Sequence, residues 1–369
     1  MVRCVLGNCR RKEKIQLKAD RAHVKVMGRT YWNEKEERWM VGTCSGIAFT
    51  MKGTMAEVKV LADNYIHAPE QVNVHARMGI FVNGKLVTDA MIDEDEKTYQ
   101  IFSSEVVQDV TISILKLSES AFGDFGISDI SVVSENGIHP VPPKKHRIEF
   151  VGDSITCGYG VEDSQIDGGF KTCTENGMKS YAYKTIRALD VDYSICSASG
   201  FGIISGYTDT DEPLADQLIP PYYDKISFSR STHPNGVNPC MIDWDFSSYQ
   251  PEAVIVNLGT NDTSFVKENK DRQEEFTSEY VNFLYKIRKN NPNAKIICIL
   301  GIMGNSLYPA VEEAVKRFQN QTGDNNSIAL RFEDQKEEDG YCVDWHPSEL
   351  THTKAAKKLT EFVKKEMNW

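Results

Sequence analysis

The stretch Arg147-Ile148-Glu149-Phe150-Val151-Gly152-Asp153-Ser154-Ile155-Thr156-Cys157-Gly158-Tyr159-Gly160 decides the reading of this chain. Its first five residues have the apolar, β-branched and aromatic character of a strand. Gly152-Asp153 then turns the chain and sets a serine hydroxyl at the end of that strand. Four further runs look the same: Val191 to Cys196, Ala253 to Leu258, Lys295 to Ile302 and Ile328 to Phe332. All are mostly apolar on both faces. Between and after them lie segments of helical period, Lys179 to Leu189, Gln273 to Lys289, Leu307 to Asn320 and Lys354 to Glu366. Apolar strands alternating with helices predict a parallel sheet covered on both faces, and in such sheets ligands bind beyond the carboxyl ends of the strands.

Upstream, the pattern changes at Pro140-Val141-Pro142-Pro143-Lys144-Lys145-His146. Before this linker come runs rich in β-branched and aromatic residues: Ile47 to Met51, Ala56 to Leu61, Met78 to Val82, Tyr99 to Phe102, Val110 to Leu117 and Ile127 to Val133. Asn83-Gly84 between two such runs is a two-residue hairpin signature. Many short strands without long amphipathic helices predict a β-sandwich, in jelly-roll form. Two domains follow, 1–140 and 147–369, in keeping with a length of 369 residues.

A net charge of -11 disfavours a phosphate backbone as partner. No apolar run approaches the roughly 20 residues of a membrane-spanning helix, and Met1 to Lys18 has no signal-peptide core. The expectation is a cytoplasmic protein that binds neither nucleic acid nor membrane. Its oligomeric state is left open. The nine cysteines lack paired spacing and are expected to be reduced. Cys196 and Cys298, inside strand-like runs, read as small core residues. Cys4 and Cys9 have no second pair that would make a zinc site.

Three peptides at predicted strand ends carry chemistry. Ser154 is a nucleophile if a base stands beside it. The plainer reading is a helix cap, which Gly158 and Gly160 weaken by delaying a helix. His346, in Asp344-Trp345-His346-Pro347, precedes a proline that holds it out of helical geometry. It is the preferred base over His352, which reads as a first-turn residue of the last helix. Asn261, in Gly259-Thr260-Asn261-Asp262, could aim an amide at a developing oxyanion, or simply serve a turn. Gly200, after another strand, would let a backbone N–H approach the same point. The expected oxyanion donors are therefore Ser154 N–H, Gly200 N–H and the Asn261 amide. Trp345 could stack a sugar ring or pack on the last helix. Tyr207, Tyr222 and Tyr223 could line a cleft, although loop packing is the commoner role. Asp163, Asp167 and Gly168-Gly169 lack the ligand repeat of a calcium loop. Gly200, Gly202 and Gly206 miss the dinucleotide fingerprint.

Taken in chain order, Gly152-Asp153-Ser154-Ile155, Gly200, Gly259-Thr260-Asn261-Asp262 and Asp344-Trp345-His346-Pro347 resemble the four sequence blocks of SGNH (GDSL-type) hydrolases. Gly28-Arg29-Thr30-Tyr31, with the passage from Gly152 to Gly160, is similar to carbohydrate esterase family 2, the acetyl xylan esterase-like group. The resemblance implies an α/β SGNH-hydrolase fold, with a flavodoxin-like parallel sheet in three layers, joined to a jelly roll. It implies a serine esterase that removes acetyl groups from xylan or mannan without metal or organic cofactor. SGNH enzymes usually carry an acid three residues before the histidine, where this chain has Val343. Asp344, two residues before it, would reach the ring if the segment is extended, and it is expected to complete a Ser154, His346, Asp344 triad. The resemblance also admits a dyad in which a backbone carbonyl orients His346.

Overall fold

The computed structural model describes residues 13–68 and 73–369, so Cys4 and Cys9 lie outside the described residues. The N-terminal region is a nine-stranded antiparallel sheet. Its strands are β1 (Ile15–Leu17), β2 (Lys25–Met27), β3 (Thr30–Trp32), β4 (Arg38–Met40), β5 (Gly46–Ala62), β6 (Arg77–Val82), β7 (Lys85–Met91), β8 (Glu96–Lys116) and β9 (Phe125–Pro140). The main path runs β3-β4-β9-β5-β8-β6-β7, with β1 on β9 and β2 on β5.

The expectation of many short strands is corrected here. Runs separated in the sequence join into three long strands, β5, β8 and β9, of 17, 21 and 16 residues. The apparent breaks are register shifts, such as that between Gly53 and Met55 in the β5–β8 pairing. A bulge bends a strand without ending it, so both halves of β5 close over one core that includes Ile47, Phe49, Val58 and Val60. The Asn83-Gly84 hairpin joins β6 to β7 with both residues at positive φ, 50° and 77°, as a two-residue primed turn requires.

After residues 141–146 the chain forms β10 (Arg147–Gly152), α1 (Ser154–Cys157), α2 (Tyr181–Leu189), β11 (Asp192–Ser197), α3 (Ile219–Tyr222), β12 (Ala253–Asn257), α4 (Asp262–Val266), α5 (Lys270–Asn290), β13 (Lys295–Ile302), α6 (Tyr308–Thr322), β14 (Ser327–Asp334) and α7 (Glu349–Met367). The five strands are parallel in the order β11-β10-β12-β13-β14. The order reverses at β10, the switch point beside which ligands bind in open parallel sheets. Side chains alternate along each strand. Val151, Val254 and Cys298 join α5 and α6 in one core, whereas Phe150, Ile255 and Ile297 join α2 and α7 in the other. The seven described cysteines are free, and among the described residues no helix is long and apolar enough to cross a membrane.

Buried charges lock the two regions together. Arg29 donates to Glu149 on β10 at 3.0 Å and to the carbonyls of Tyr223 and Lys225 at 2.7 and 2.6 Å. The remaining Glu149 oxygen accepts from Tyr223 Oη at 2.8 Å. Both side chains of the pair are essentially inaccessible, at 0% and 1%. Tyr223 is thus a core residue rather than part of a cleft.

Candidate active site

Asp153 stands at the end of β10, and its carboxylate caps α1 by accepting the Ile155 N–H at 3.0 Å. A short helix therefore starts at Ser154 at once, contrary to the expected delay, and Gly158 ends it in the left-handed conformation. The helix cap is Asp153, which leaves the Ser154 hydroxyl free for another partner. Ser154 Oγ lies 2.8 Å from His346 Nε2. His346 Nδ1 lies 3.0 Å from the Val343 carbonyl. A carbonyl only accepts, so Nδ1 carries the proton and Nε2 accepts from Ser154. One backbone oxygen thus fixes the tautomer a base needs.

The expectation for Asp344 is corrected on the same geometry. The segment Val343–Trp345 is a 3₁₀ turn rather than extended chain, and Asp344 sits at φ 51°, ψ 39°. Residues two apart therefore do not share a side. The Asp344 carboxylate instead accepts from Tyr159 Oη at 2.6 Å. Trp345 also has positive φ, 60°. Two successive non-glycine residues in this region cost on the order of 1–3 kcal/mol each. The turn is held from several sides. Val343 N–H donates to Asp163 O at 3.1 Å, Asp344 N–H to Ile166 O at 2.9 Å, Cys342 N–H to His346 O at 2.8 Å, and Gln335 Nε2 to Trp345 O at 2.7 Å. The acidic 163–167 loop thus clamps the histidine turn. Trp345 does not pack on the last helix: it is 57% exposed, edge-on to Tyr341.

Tyr159 is the residue that sequence reasoning missed. Its ring stacks on His346 at 4.0 Å between centroids, with Phe170 on its other side at 4.3 Å. Its neighbour Gly160 has φ 56°, and a Cβ there would stand 2.9 Å from Val343 Cβ. Two glycines around a tyrosine, in a turn that follows the nucleophile, were the available signal. His352 is buried in α7, where its Nδ1 accepts the Tyr181 N–H at 3.1 Å. It does not face Ser154.

Asn261 is brought to the same strand ends. Its Nδ2 donates to Phe201 O at 2.8 Å and makes a longer contact, 3.3 Å, to Asp153 Oδ2. Gly200 turns the chain at φ 83°, and among the described residues its N–H meets no acceptor. Gly202 lies where a Cβ would fall 2.5 Å from Asp262 Oδ2. That carboxylate gathers the N–H groups of Ile203, Ile204 and Ser205. These glycines shape a loop, not a nucleotide cradle. Tyr207, 56% exposed, follows them with its N–H on Gly200 O at 2.9 Å. Burial pushes Asp153 up to about 7 and Asp262 up to about 6, and it pushes His346 down to about 4 against the lift from the Val343 carbonyl. Elsewhere, carboxylate oxygens of Glu119 and Glu175 and the Cys157 thiol lie within 4.8 Å of one another, close enough to hold a metal ion.

Residues 150–354 match the GDSL-like lipase/acylhydrolase family. The chain belongs to that family. Residues 26–142 match the carbohydrate esterase 2 N-terminal domain, so the GDSL-like unit and its β-rich partner are both accounted for. The chain is 33% identical over 260 residues to the cellulase/esterase CelE of Acetivibrio thermocellus, covering 69% of this chain and 30% of that protein. It therefore spans under a third of that relative. It is 23% identical over 350 residues to an acetylxylan esterase / glucomannan deacetylase of Cellvibrio japonicus, covering 94% of this chain and 90% of the relative. Among solved structures, a family two carbohydrate esterase from Clostridium thermocellum in complex with cellohexaose superposes with a TM-score of 0.79 at 27% identity. That match covers 94% of this GDSL-like chain and 99% of the other.

Proposed function

We propose that this protein is a serine esterase that removes O-acetyl groups from plant polysaccharides or oligosaccharides, xylan or mannan, through an acyl-enzyme. The observation that carries this reading is the 2.8 Å contact of Ser154 Oγ with a histidine nitrogen whose tautomer is fixed by Val343 O. In the proposed sequence His346 Nε2 takes the Ser154 proton as Oγ attacks the acetyl carbonyl, then gives that proton to the departing sugar oxygen. Water repeats the cycle and releases acetate. Ser154 N–H, Gly200 N–H and the Asn261 amide are the proposed oxyanion donors. One Asn261 N–H is held by Phe201 O, and the other, which makes only the 3.3 Å contact to Asp153, is the proposed donor to the oxyanion. The base is a dyad member, and the Asp344 carboxylate bonds the Tyr159 hydroxyl rather than the ring. The exposed Trp345 beside the base is the proposed sugar platform. Relatives named as acetylxylan esterase / glucomannan deacetylase support the substrate class.

A second reading, a carbohydrate-binding module with residual esterase activity, draws support from the cellohexaose bound to the similar C. thermocellum structure. A lipid or peptidoglycan O-acyl esterase is the remaining alternative. Acetate release from acetylated xylo- and manno-oligosaccharides, followed by time-resolved NMR, tests the proposal. Ser154→Ala is expected to lower kcat by at least about 10³-fold while leaving oligosaccharide binding intact. Near-normal turnover by that variant overturns the proposal, and a preference for long acyl chains moves the reading to lipids.

A further inference from the structure

Glu119 and Glu175 are fully buried where the β-rich region meets the parallel sheet. Glu119 follows the end of β8, and Glu175 lies between α1 and α2. Glu119 Oε2 accepts the N–H of Ser199, the residue before Gly200, at 2.8 Å. It also lies 3.9 Å from the Sγ of Cys157, the last residue of α1. Glu175 Oε2 accepts the N–H of Glu119 at 2.8 Å. The other oxygen of each carboxyl, Glu119 Oε1 and Glu175 Oε1, is buried without a donor. Two carboxylates cannot both stay charged at such range in a dry interior. Of the two, Glu119 has more donors: the Ser199 N–H and the Cys157 thiol both reach its Oε2, against the single Glu119 N–H on Glu175. Lys116 Nζ also donates to the Glu119 carbonyl.

We propose that Glu175 is held as a neutral carboxylic acid facing the Glu119 carboxylate, and that Glu119 is thereby a positioning residue by which the β-rich region pins the Ser199–Gly200 turn. The proposal rests on Gly200 N–H being an oxyanion donor. A turn anchored at Ser199 N–H aims the next N–H along the chain, and a misplacement of about 1 Å at such a site costs on the order of 10²-fold in rate. Burial lifts both carboxyls above the ordinary carboxylate range, in keeping with one proton held on the pair. The charged groups that bear on the pair are Lys116, Arg230 and Arg77. Cys157, Cys44 and Tyr159 also face it, and all three are pushed upward and stay neutral. At alkaline pH the Glu175 proton is therefore the one to leave, and the second charge loosens the pair.

Steady-state kinetics of Glu175→Gln, Glu119→Gln and Glu119→Ala across pH 5–10 test this. Glutamine at 175 supplies an N–H to Glu119 and an acceptor to its backbone, and it cannot ionise. Wild type is expected to lose kcat on the alkaline side. Glu175→Gln is expected to keep kcat at pH 7 within about threefold and to lack that alkaline limb. Glu119→Gln retains an acceptor for Ser199 N–H and stays within tenfold. Glu119→Ala drops kcat by about 10- to 100-fold with KM little changed. If Glu119→Ala does not fold, the pH profile of Glu175→Gln against wild type decides alone. Collapse of Glu175→Gln at pH 7, or an unaltered alkaline limb in it, overturns the proposal. So does one equivalent of divalent metal, found by elemental analysis, whose removal abolishes activity, because a cation would then stand in place of the proton. Failure of the Gly200 premise reads differently: Glu119→Ala then folds and retains full kcat, whereas failure of the esterase reading leaves Ser154→Ala active.

Discussion

At His346 one atom decides what the base can do. The Val343 carbonyl holds Nδ1–H and leaves Nε2 to Ser154, while burial pushes the ring down to about 4. The active form is the neutral one, so the acid limb of kcat/KM is expected near pH 4 rather than near the unperturbed histidine value of about 6.5. A pH–rate profile showing the limb at 6 to 7 would place a charged partner against the ring. The Asp344 carboxylate spends its hydrogen bond on the Tyr159 phenol and acts on His346 through its charge. Asp344→Asn is therefore expected to lose less than about tenfold in kcat, against about 10⁴ when an acid in direct contact with its histidine is neutralised. Ser154 and His346 were legible because the chemistry sits in short strings at strand ends. The role of Asp344 was not, because its position depends on left-handed backbone at Asp344 and Trp345, which side-chain patterning does not encode.

The elements divide along similar lines. Strands β10 to β13 were visible as apolar runs because both of their faces are covered, β14 by its apolar first half although it lies at the more exposed sheet edge, and the helix periods placed α2, α5, α6 and α7. In the β-rich region the runs were seen but their continuity was not. A bulge at Gly53 looks in sequence like a turn, since both break the alternation. Within the first βα connection Asp153 has a double function, capping α1 while enclosed at the sheet end. Its folded pKa, about 7, lies above the ordinary carboxyl value of 3.8. The folded protein therefore holds this proton more tightly than the unfolded chain does. The stability it contributes is complete below about pH 4 and is lost as pH rises through 7. Asp262 and Asp63 are shifted in the same direction, so Asp153→Asn should reduce the slope without removing it. The variant keeps an acceptor for Ile155 N–H. Urea unfolding is expected to show a loss of stability between pH 4.5 and 7.5 that is smaller than in wild type by on the order of 2–4 kcal/mol.

For the molecule as a whole, the proline-rich segment at 140–146 marked where one architecture gives way to the other, but it did not disclose how firmly they are joined. Arg29, Glu119, Glu149 and Glu175 are isolated charges in the sequence, and isolated charges ordinarily read as surface. In the folded chain all four are buried, and they bridge the two regions through Arg29–Glu149 and through Glu119 with Ser199 and Glu175. Arg77 on β6 adds a pair with Glu162 at 2.6 Å. Separating the regions would leave Arg29 and Glu149 without each other and Glu119 without the Ser199 N–H, a penalty that a boundary of exposed polar contacts would not carry. The two regions should therefore unfold together, giving one calorimetric transition whose van't Hoff and calorimetric enthalpies agree. Arg29→Ala should lower the stability of the whole by about 3–5 kcal/mol, because it strands Glu149 in the interior. The downward shift should appear equally in far-ultraviolet circular dichroism and in the proposed acetylesterase activity on heating. Two resolved transitions, with only the N-terminal one moved by the substitution, would show that the β-rich region is an appendage rather than part of the catalytic unit.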